Sequence, residues 1–293
     1  MKVAGVVVLY NPDEKVMDNI KSYINDLDKL YVVDNSDKKN LSLNFDDKKI
    51  EYISNGGNKG IAYALNVGAM RAYSEKFDWL LTMDQDSKFV DGHFKKMISY
   101  VKEYKSNNLI SESLNFEFDK VGVISALQRT KVNEADELQG LNFPLVVMTS
   151  GNLINLNIYN EIGGFNEDYF IDCVDFDYCL KVKKNFYEVI QLYSVELEHN
   201  LGDIKEINFF GKHLHVTNHN YIRRYYISRN RHYLYDEYKD IFKEYCDAEL
   251  GLNKREMVKI ILFEKNKLRK IRSIYRGYRD YKKGVIGKYS YKN

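Results

Sequence analysis

Residues 79–89 read WLLTMDQDSKF, an apolar run that stops at two aspartates one residue apart, Asp84 and Asp86. At the tip of a strand these two side chains project to the same side, because strand side chains alternate with period two. Two carboxylates so close repel each other unless a cation lies between them. Oxygen ligands of this kind suit Mg²⁺ or Mn²⁺, ions that keep several waters and bind phosphates as well. Gln85 between them points to the other face and is assigned no chemistry. The bland alternative is a solvated loop, which three residues alone do not exclude.

Other chemistry-bearing residues lie at similar places along the chain. Asp34 ends the apolar run YVVD and either accepts hydrogen bonds from a ribose or base, or forms an Asx turn. NGGNKGIAYALN, residues 55–66, puts glycines before a helix, where backbone approaches a phosphate or sugar closely. It matches neither GxGxxG nor GxxxxGK[ST], so a dinucleotide site and a P-loop are excluded. FIDCVDFDYC carries Asp172, Asp175 and Asp177. Asp175 is either a helix cap or a general base held just before a helix near Phe176. His199 in HNLGD is a structural histidine or a further metal ligand. Arg229 and Arg231 are solvated, or one of them offsets the charge of a leaving diphosphate.

The elements that must position these residues follow from periodicity. VAGVVVL is a buried strand, and residues 13–27 carry Val16, Ile20, Tyr23, Ile24 and Leu27 at helical spacing. KLYVVDNS and IEYISN are further strands, an Ala-rich helix follows the glycines, DWLLTM is a fourth strand, and residues 90–104 are helical. That order predicts an α/β fold with a largely parallel, doubly wound sheet. Ligands of such sheets gather at the carboxyl ends of the strands. YNP, VDNS, SNGGN and DQDS all fall there, which points to one cleft. KVGVISAL, LVVMTSGNLI and YEVIQLYSVELEH read as later strands, with helices over NLNIYNEI, the segment after Asp175, and residues 220–240. We expect two regions, a catalytic domain over 1–235 and a basic helical extension over 236–293.

Taken together and in order, VVVLYNP, YVVDNS, NGGNKGIAYALNVG, TMDQDS, SGNLI, IGGFNEDYFIDCVDFDYCLK and HNLGD resemble the inverting glycosyltransferase family 2, which has the GT-A fold. MDQDS, FIDCVDFDYC and YYISRN are similar to its bacterial rhamnosyltransferase branch. The resemblance spans roughly residues 3 to 235. It implies that Tyr10, Asn11 and Asp34 frame the nucleotide base and ribose, and that Asn58, Lys59 and Gly60 lie near the nucleotide-sugar. Asp86 would contact an Mg²⁺ or Mn²⁺ ion, with Asp84 on the ribose or sugar and near the metal, and His199 completing the metal site. Ser150 and Gly151 would line the donor-sugar and acceptor pocket. Asp175 would be the base and Arg229 a helper at the diphosphate. Val174 stands where the family usually has Glu, which leaves Asp172 as the alternative base. The implied reaction moves rhamnose from dTDP-rhamnose to a saccharide acceptor in cell-surface polysaccharide synthesis. UDP-galactofuranose, UDP-glucose or UDP-N-acetylhexosamine donors use the same scaffold, and a non-catalytic nucleotide-sugar binder is the alternative from another class. A nucleotidyltransferase would carry a Gly- and Arg/Lys-bearing signature after the first strand, which LYNPDEK lacks.

Bulk properties set the surroundings. The 293 residues are 44% hydrophobic, enough for a sizeable core. Three cysteines without a CxxC read as reduced thiols of a cytosolic protein. VAGVVVLYNP is too short for a signal segment, and no apolar run is long enough to span a bilayer. The net charge of +2 hides an asymmetry. Residues 254–293 hold fourteen Lys and Arg against three acids, a net +11, which leaves −9 on the rest. A basic amphipathic tail on an acidic body suits the anionic inner face of the cell membrane, and with it a lipid-linked acceptor. Packing against a second subunit is the alternative. An acidic body without a recognisable nucleic-acid motif disfavours nucleic acid.

Overall fold

We analysed a computed structural model that describes residues 1–38, 45, 47–106, 117–129, 140–199, 205–209 and 212–290. For residues 105, 106, 199, 205, 209 and 212 it describes the backbone alone. The chain divides into two compact units, Met1–Asn166 with Asp175–Asn200, and Glu167–Val174 with Leu201–Asn293. The boundary expected at residue 235 falls inside a helix, Tyr221–Tyr238, that belongs to the second unit.

The first unit is a mixed sheet with helices around it. Its strands are β1 (Val3–Leu9), β2 (Lys29–Asp34), β3 (Ile50–Ser54), β4 (Trp79–Asp84), β5 (Ser87–Phe89), β6 (Val121–Arg129), β7 (Leu141–Asn142), β8 (Asn152–Asn155) and β9 (Glu188–His199). The helices are α1 (Lys15–Lys21), α2 (Ile61–Ser74), α3 (His93–Ser106), α4 (Leu156–Ile162) and α5 (Val174–Lys184). Strand order is β3-β2-β1-β4-β8-β6-β9-β5, with β7 on β9.

β1 to β4 form the parallel half, with Val8 in register with both Val33 and Asp84. β1 is buried along its whole length, as a β-branched strand inside a parallel sheet should be. α2 lies very close to it, since a Cβ on Gly68 would sit 2.4 Å from Val6 Cγ2.

The other half departs from the expected parallel pattern. β8 runs antiparallel to β4 and to β6, and β5 antiparallel to β9. LVVMTSGNLI is a strand only over its last residues, because Gly151 has φ +82° and turns the chain back along β4. An antiparallel neighbour needs only such a local turn, not a crossover helix. α5 begins at Val174, so Asp175 stands inside its first turn rather than before it.

The second unit contains a hairpin, β10 (Lys205–Phe209) with β11 (Lys212–Val216), and three helices, α6 (Tyr221–Tyr238), α7 (Lys243–Phe263) and α8 (Lys267–Lys282). α6 and α8 touch backbone to backbone, for a Cβ on Gly277 would meet Tyr225 O at 2.4 Å. A buried ionic network joins the helices. Glu264 accepts from Arg224 Nη2 at 2.6 Å and from Lys270 Nζ at 2.7 Å, and Arg224 Nη1 reaches Glu256 at 2.7 Å.

Beside this network burial, with help from Arg223 and Arg224, drives the His219 pKa down to about 4. The folded state therefore holds His219 neutral at pH values where the unfolded chain protonates it. Stability is complete above the ordinary histidine value near 6.5 and is lost as pH falls toward 4. We expect the melting temperature to drop across that window, and His219→Gln to flatten part of the slope. A melting series in matched-ionic-strength buffers checks it.

The segment 168–172 is held from within the second unit by α6. Asn230 Nδ2 lies 2.8 Å from Tyr169 O, 2.7 Å from Ile171 O and 3.0 Å from Asp172 O, and Asn230 is fully buried. Phe170, Asp172 and Cys173 all have left-handed φ, 60°, 64° and 64°, which non-glycine residues adopt only when their surroundings impose it. Asn230→Ala takes the side-chain donor from the Ile171 and Asp172 carbonyls, while Tyr169 O keeps Arg229 and Ile171 N–H, and the expected loss is about 2 kcal/mol, measured by denaturant unfolding.

Candidate active site

The loops at the carboxyl ends of the parallel strands are tied together by side chains. Gln85 accepts from Tyr10 N–H at 2.8 Å and donates to Tyr10 C=O at 3.2 Å, so the β1 and β4 tips are stitched. Ser36 Oγ accepts from the N–H of Asn11, which has φ +47°. Asn35 donates to Gly60 O at 2.8 Å and accepts from Asn55 at 2.9 Å, joining the β2 tip to the glycine-rich turn. Asn58 Oδ1 accepts from Gly60 N–H at 3.0 Å, which shapes the entry to α2. Lys59 N–H approaches Asn35 Oδ1 at 3.4 Å. Asp34 is fully buried, and its carboxylate accepts from Ser36 N–H at 2.8 Å and Tyr52 Oη at 2.5 Å. Asp34 thus makes the Asx turn.

The aspartate pair sits where β4 ends. Asp84 N–H donates to the buried Ser150 Oγ at 3.1 Å, and Gly151 N–H donates to Thr82 O at 2.8 Å. The Ser-Gly turn and the β4 tip at Asp84 are therefore one construction. A Cβ on Gly151 would lie 2.9 Å from Leu197 Cδ2, so glycine is required there for space as well as for φ. Asp86 is exposed. Ser87, next in sequence, is in register with His199 across β5 and β9, which brings the His199 backbone to the same edge. The His199 side chain, and residues 200–203 of HNLGD, lie outside the described residues.

Among the described residues no group of three His, Cys, Asp or Glu side chains could hold a metal ion. The oxygen donors of Asp84 and Asp86 nonetheless have the hardness that Mg²⁺ or Mn²⁺ requires.

Asp175 is half-buried at the start of α5, and its Oδ1 accepts from Phe176 N–H at 3.0 Å. A negative charge is favourable in the first turn of a helix. α5 is fixed in the first unit by Phe165, whose ring lies 4.5 Å from that of Tyr178, and by Lys181, which donates to Gly164 O at 2.8 Å. The Gly-Gly-Phe turn is in turn held by buried Asn66, which binds both Phe165 N–H and C=O. Asp172 belongs to the second unit, where its Oδ1 accepts from Arg223 Nε at 3.0 Å. Burial raises its pKa, and Arg223 opposes the rise.

Arg229 corrects an expectation. It is fully buried, and its guanidinium donates to Gly287 O at 2.8 Å, Asp168 O at 3.1 Å and Tyr169 O at 3.3 Å. A cation committed to backbone carbonyls in the interior has no surface to offer a diphosphate. Arg231 is likewise engaged, with Glu249 at 3.0 Å. Sequence reasoning missed Asn35, Ser36, Asn66 and Gln85, whose work is to bind backbone. The polar strand ends DNS and DQD were the signal for Asn35, Ser36 and Gln85, and nothing comparable marked Asn66 inside α2.

The mixed α/β sheet with helices around it is the fold of GT-A glycosyltransferases of known structure. Residues 6–153 match the profile of glycosyl transferase family 2, and the chain belongs to that family. It is 27% identical over 238 residues to dTDP-rhamnosyl transferase RfbF of Shigella flexneri, covering 78% of each chain. Among solved structures it is similar to S. aureus TarS 1-349 in complex with UDP-GlcNAc, at 12% identity and a TM-score of 0.57 over 97% of this chain and 82% of that one. It is also similar to GalNAc-T7 with UDP, GalNAc and Mn²⁺, at 11% identity and a TM-score of 0.54, covering 68% of this chain and 44% of that one.

Proposed function

We propose that this glycosyltransferase moves rhamnose from dTDP-rhamnose, with inversion, to a saccharide acceptor of a cell-surface polysaccharide. The donor reading is supported by the similarity to a protein named for dTDP-rhamnosyl transfer. The observation that carries the site is the joining of the β4 tip at Asp84 N–H to the Ser150–Gly151 turn through Ser150 Oγ. In this reading Tyr10, Asn11 and the Asn58–Lys59–Gly60 turn border the nucleotide, and Asp34 shapes that border from beneath. Asp84 faces the ribose or sugar. Asp86 and Asp84, with His199, would hold Mg²⁺ or Mn²⁺, which supplies positive charge against the departing diphosphate. Ser150 and Gly151 line the sugar pocket. Asp175 accepts the proton of the acceptor hydroxyl as that oxygen attacks the anomeric carbon. Asp172, already paired with Arg223, is the less suited base.

We also place the enzyme at the inner face of the cell membrane, acting on a lipid-linked acceptor. Among the described residues no helix is long and apolar enough to cross a membrane, so the attachment we propose is peripheral.

The test is thermal stabilisation by a panel of nucleotide sugars, with and without Mn²⁺ or Mg²⁺. Stabilisation by dTDP-rhamnose that needs the ion and vanishes in Asp86→Ala is the expected result. Stabilisation only by a UDP-sugar would overturn the donor.

A further inference from the structure

The second unit holds a cleft of about 800 Å³ between α6, α7 and α8, lined by none of the residues proposed for sugar transfer. That volume lies within the range of pockets that take small molecules. Its wall is largely apolar, with Leu250 and Met257 from α7 and Ile271, Ile274 and Tyr275 from α8. Lys254, Arg272 and Arg276 also line it, and none of the three has an acidic partner among the described residues. The contrast with the interior of the same unit is sharp, since Arg224 and Lys270 there are both paired with Glu264. Arg276 lies over the Tyr289 ring, 4.9 Å from its centroid, but no carboxylate among the described residues answers any of the three charges, so an anion to meet them has to come from outside the fold.

The rim of the cleft repeats this chemistry along α8. Leu268, Arg272, Tyr275 and Arg279 follow at helical spacing on one face, and all four are exposed. Leu268 is 73% and Tyr275 68% exposed. Val258, Ile261 and Leu262 are also exposed near the end of α7. A face meant only for water would not alternate large apolar groups with arginines. Such alternation is what a bilayer interface accepts, with the apolar parts inserted and the cations at the phosphates.

We propose that the cleft receives one hydrocarbon chain of a phosphate-bearing lipid of an anionic bilayer, with the phosphate on Lys254, Arg272 and Arg276. This deepens the membrane placement proposed above and rests on it, but not on the identity of the donor. The lipid chain fills the apolar wall, and the three cations without acidic partners meet the charge that the fold does not supply.

The full chain is tested with vesicles of phosphatidylcholine, alone or doped with phosphatidylglycerol. The expected result is cosedimentation with the doped vesicles only, weakened at least about tenfold by the Arg272→Glu/Arg276→Glu double reversal. An indole introduced by Met257→Trp is expected to be quenched by phosphatidylglycerol carrying brominated chains. Circular dichroism and donor stabilisation, unchanged in each variant, show that the fold and the sugar site are intact. Vesicle binding without quenching would reduce the cleft to a charged surface and overturn the proposal. So would equal binding to both vesicles, or no binding. A lipid-free dimer dispersed by Met257→Trp would give the cleft to a second copy of the chain and overturn it equally. Donor stabilisation without vesicle binding would sink this inference and leave the glycosyltransferase reading standing.

Discussion

Asp175→Asn is expected to lower kcat for sugar transfer about a thousandfold, within the range a positioned general base contributes. Asn is nearly isosteric, and its Oδ1 can still accept the Phe176 N–H that Asp175 accepts at 3.0 Å. The start of α5 should therefore survive. What is lost is the ability to take a proton. Donor-induced thermal stabilisation should stay at the wild-type value, since the role proposed for Asp175 is on the acceptor oxygen and not on the donor. Single-turnover transfer with a saturating donor reads this directly. Asp172→Asn is the control. Its carboxylate is in an ion pair with Arg223, so its loss should appear in stability and leave kcat within a few-fold. If Asp172→Asn instead stopped transfer while Asp175→Asn did not, the roles of the two would be exchanged.

Glu264→Ala is expected to destabilise the second unit by about 4 kcal/mol, the cost of stripping a buried charge of its counter-charge. The Glu264 side chain is wholly inaccessible, and it answers two cations that are themselves buried, Arg224 and Lys270. Removing it leaves Lys270 with Asn218 Oδ1 at 2.9 Å and no anion. Arg224 keeps Glu256 and Thr217. Chemical unfolding followed by far-ultraviolet circular dichroism gives the number. The triple change Arg224→Met/Glu264→Leu/Lys270→Met should recover most of it, because it removes three of the charges along with their need for each other and Glu256 keeps Lys259 at 3.1 Å. Equal destabilisation of the single and triple variants would show packing, not charge, to be the cause.

The parallel half of the sheet was legible because each strand is a run of β-branched residues with turn formers at its end. VAGVVVL and WLLTM are buried on both faces, which leaves no ambiguity of period. The antiparallel half was less so. β8 has four residues, and its direction is set by a single left-handed glycine, Gly151, that no periodicity reveals. The β10–β11 hairpin went unread because its short strands, KEINF and KHLHV, mix charged and apolar residues. Asp84, Asp86, Ser150 and Gly151 were named from sequence, and the structure puts them on adjoining strand ends. Arg229 was misjudged for a physical reason. An arginine in a Tyr-rich helix reads as a solvated cation, and only the fold shows its guanidinium turned inward onto carbonyls with Tyr226 5.1 Å away.

The stitches among the strand tips bear on how a donor would bind. Gln85 fastens Tyr10, Ser36 fastens Asn11, Asn35 fastens Gly60, and Ser150 fastens Asp84 within the protein alone. Loops that are already ordered surrender little conformational entropy when a ligand arrives. A nucleotide-sugar entering this cleft would find the backbone in place, and its binding free energy would not be drained by organising five separate segments. Association should then follow simple one-step kinetics, without the slow isomerisation of a site that assembles around its ligand.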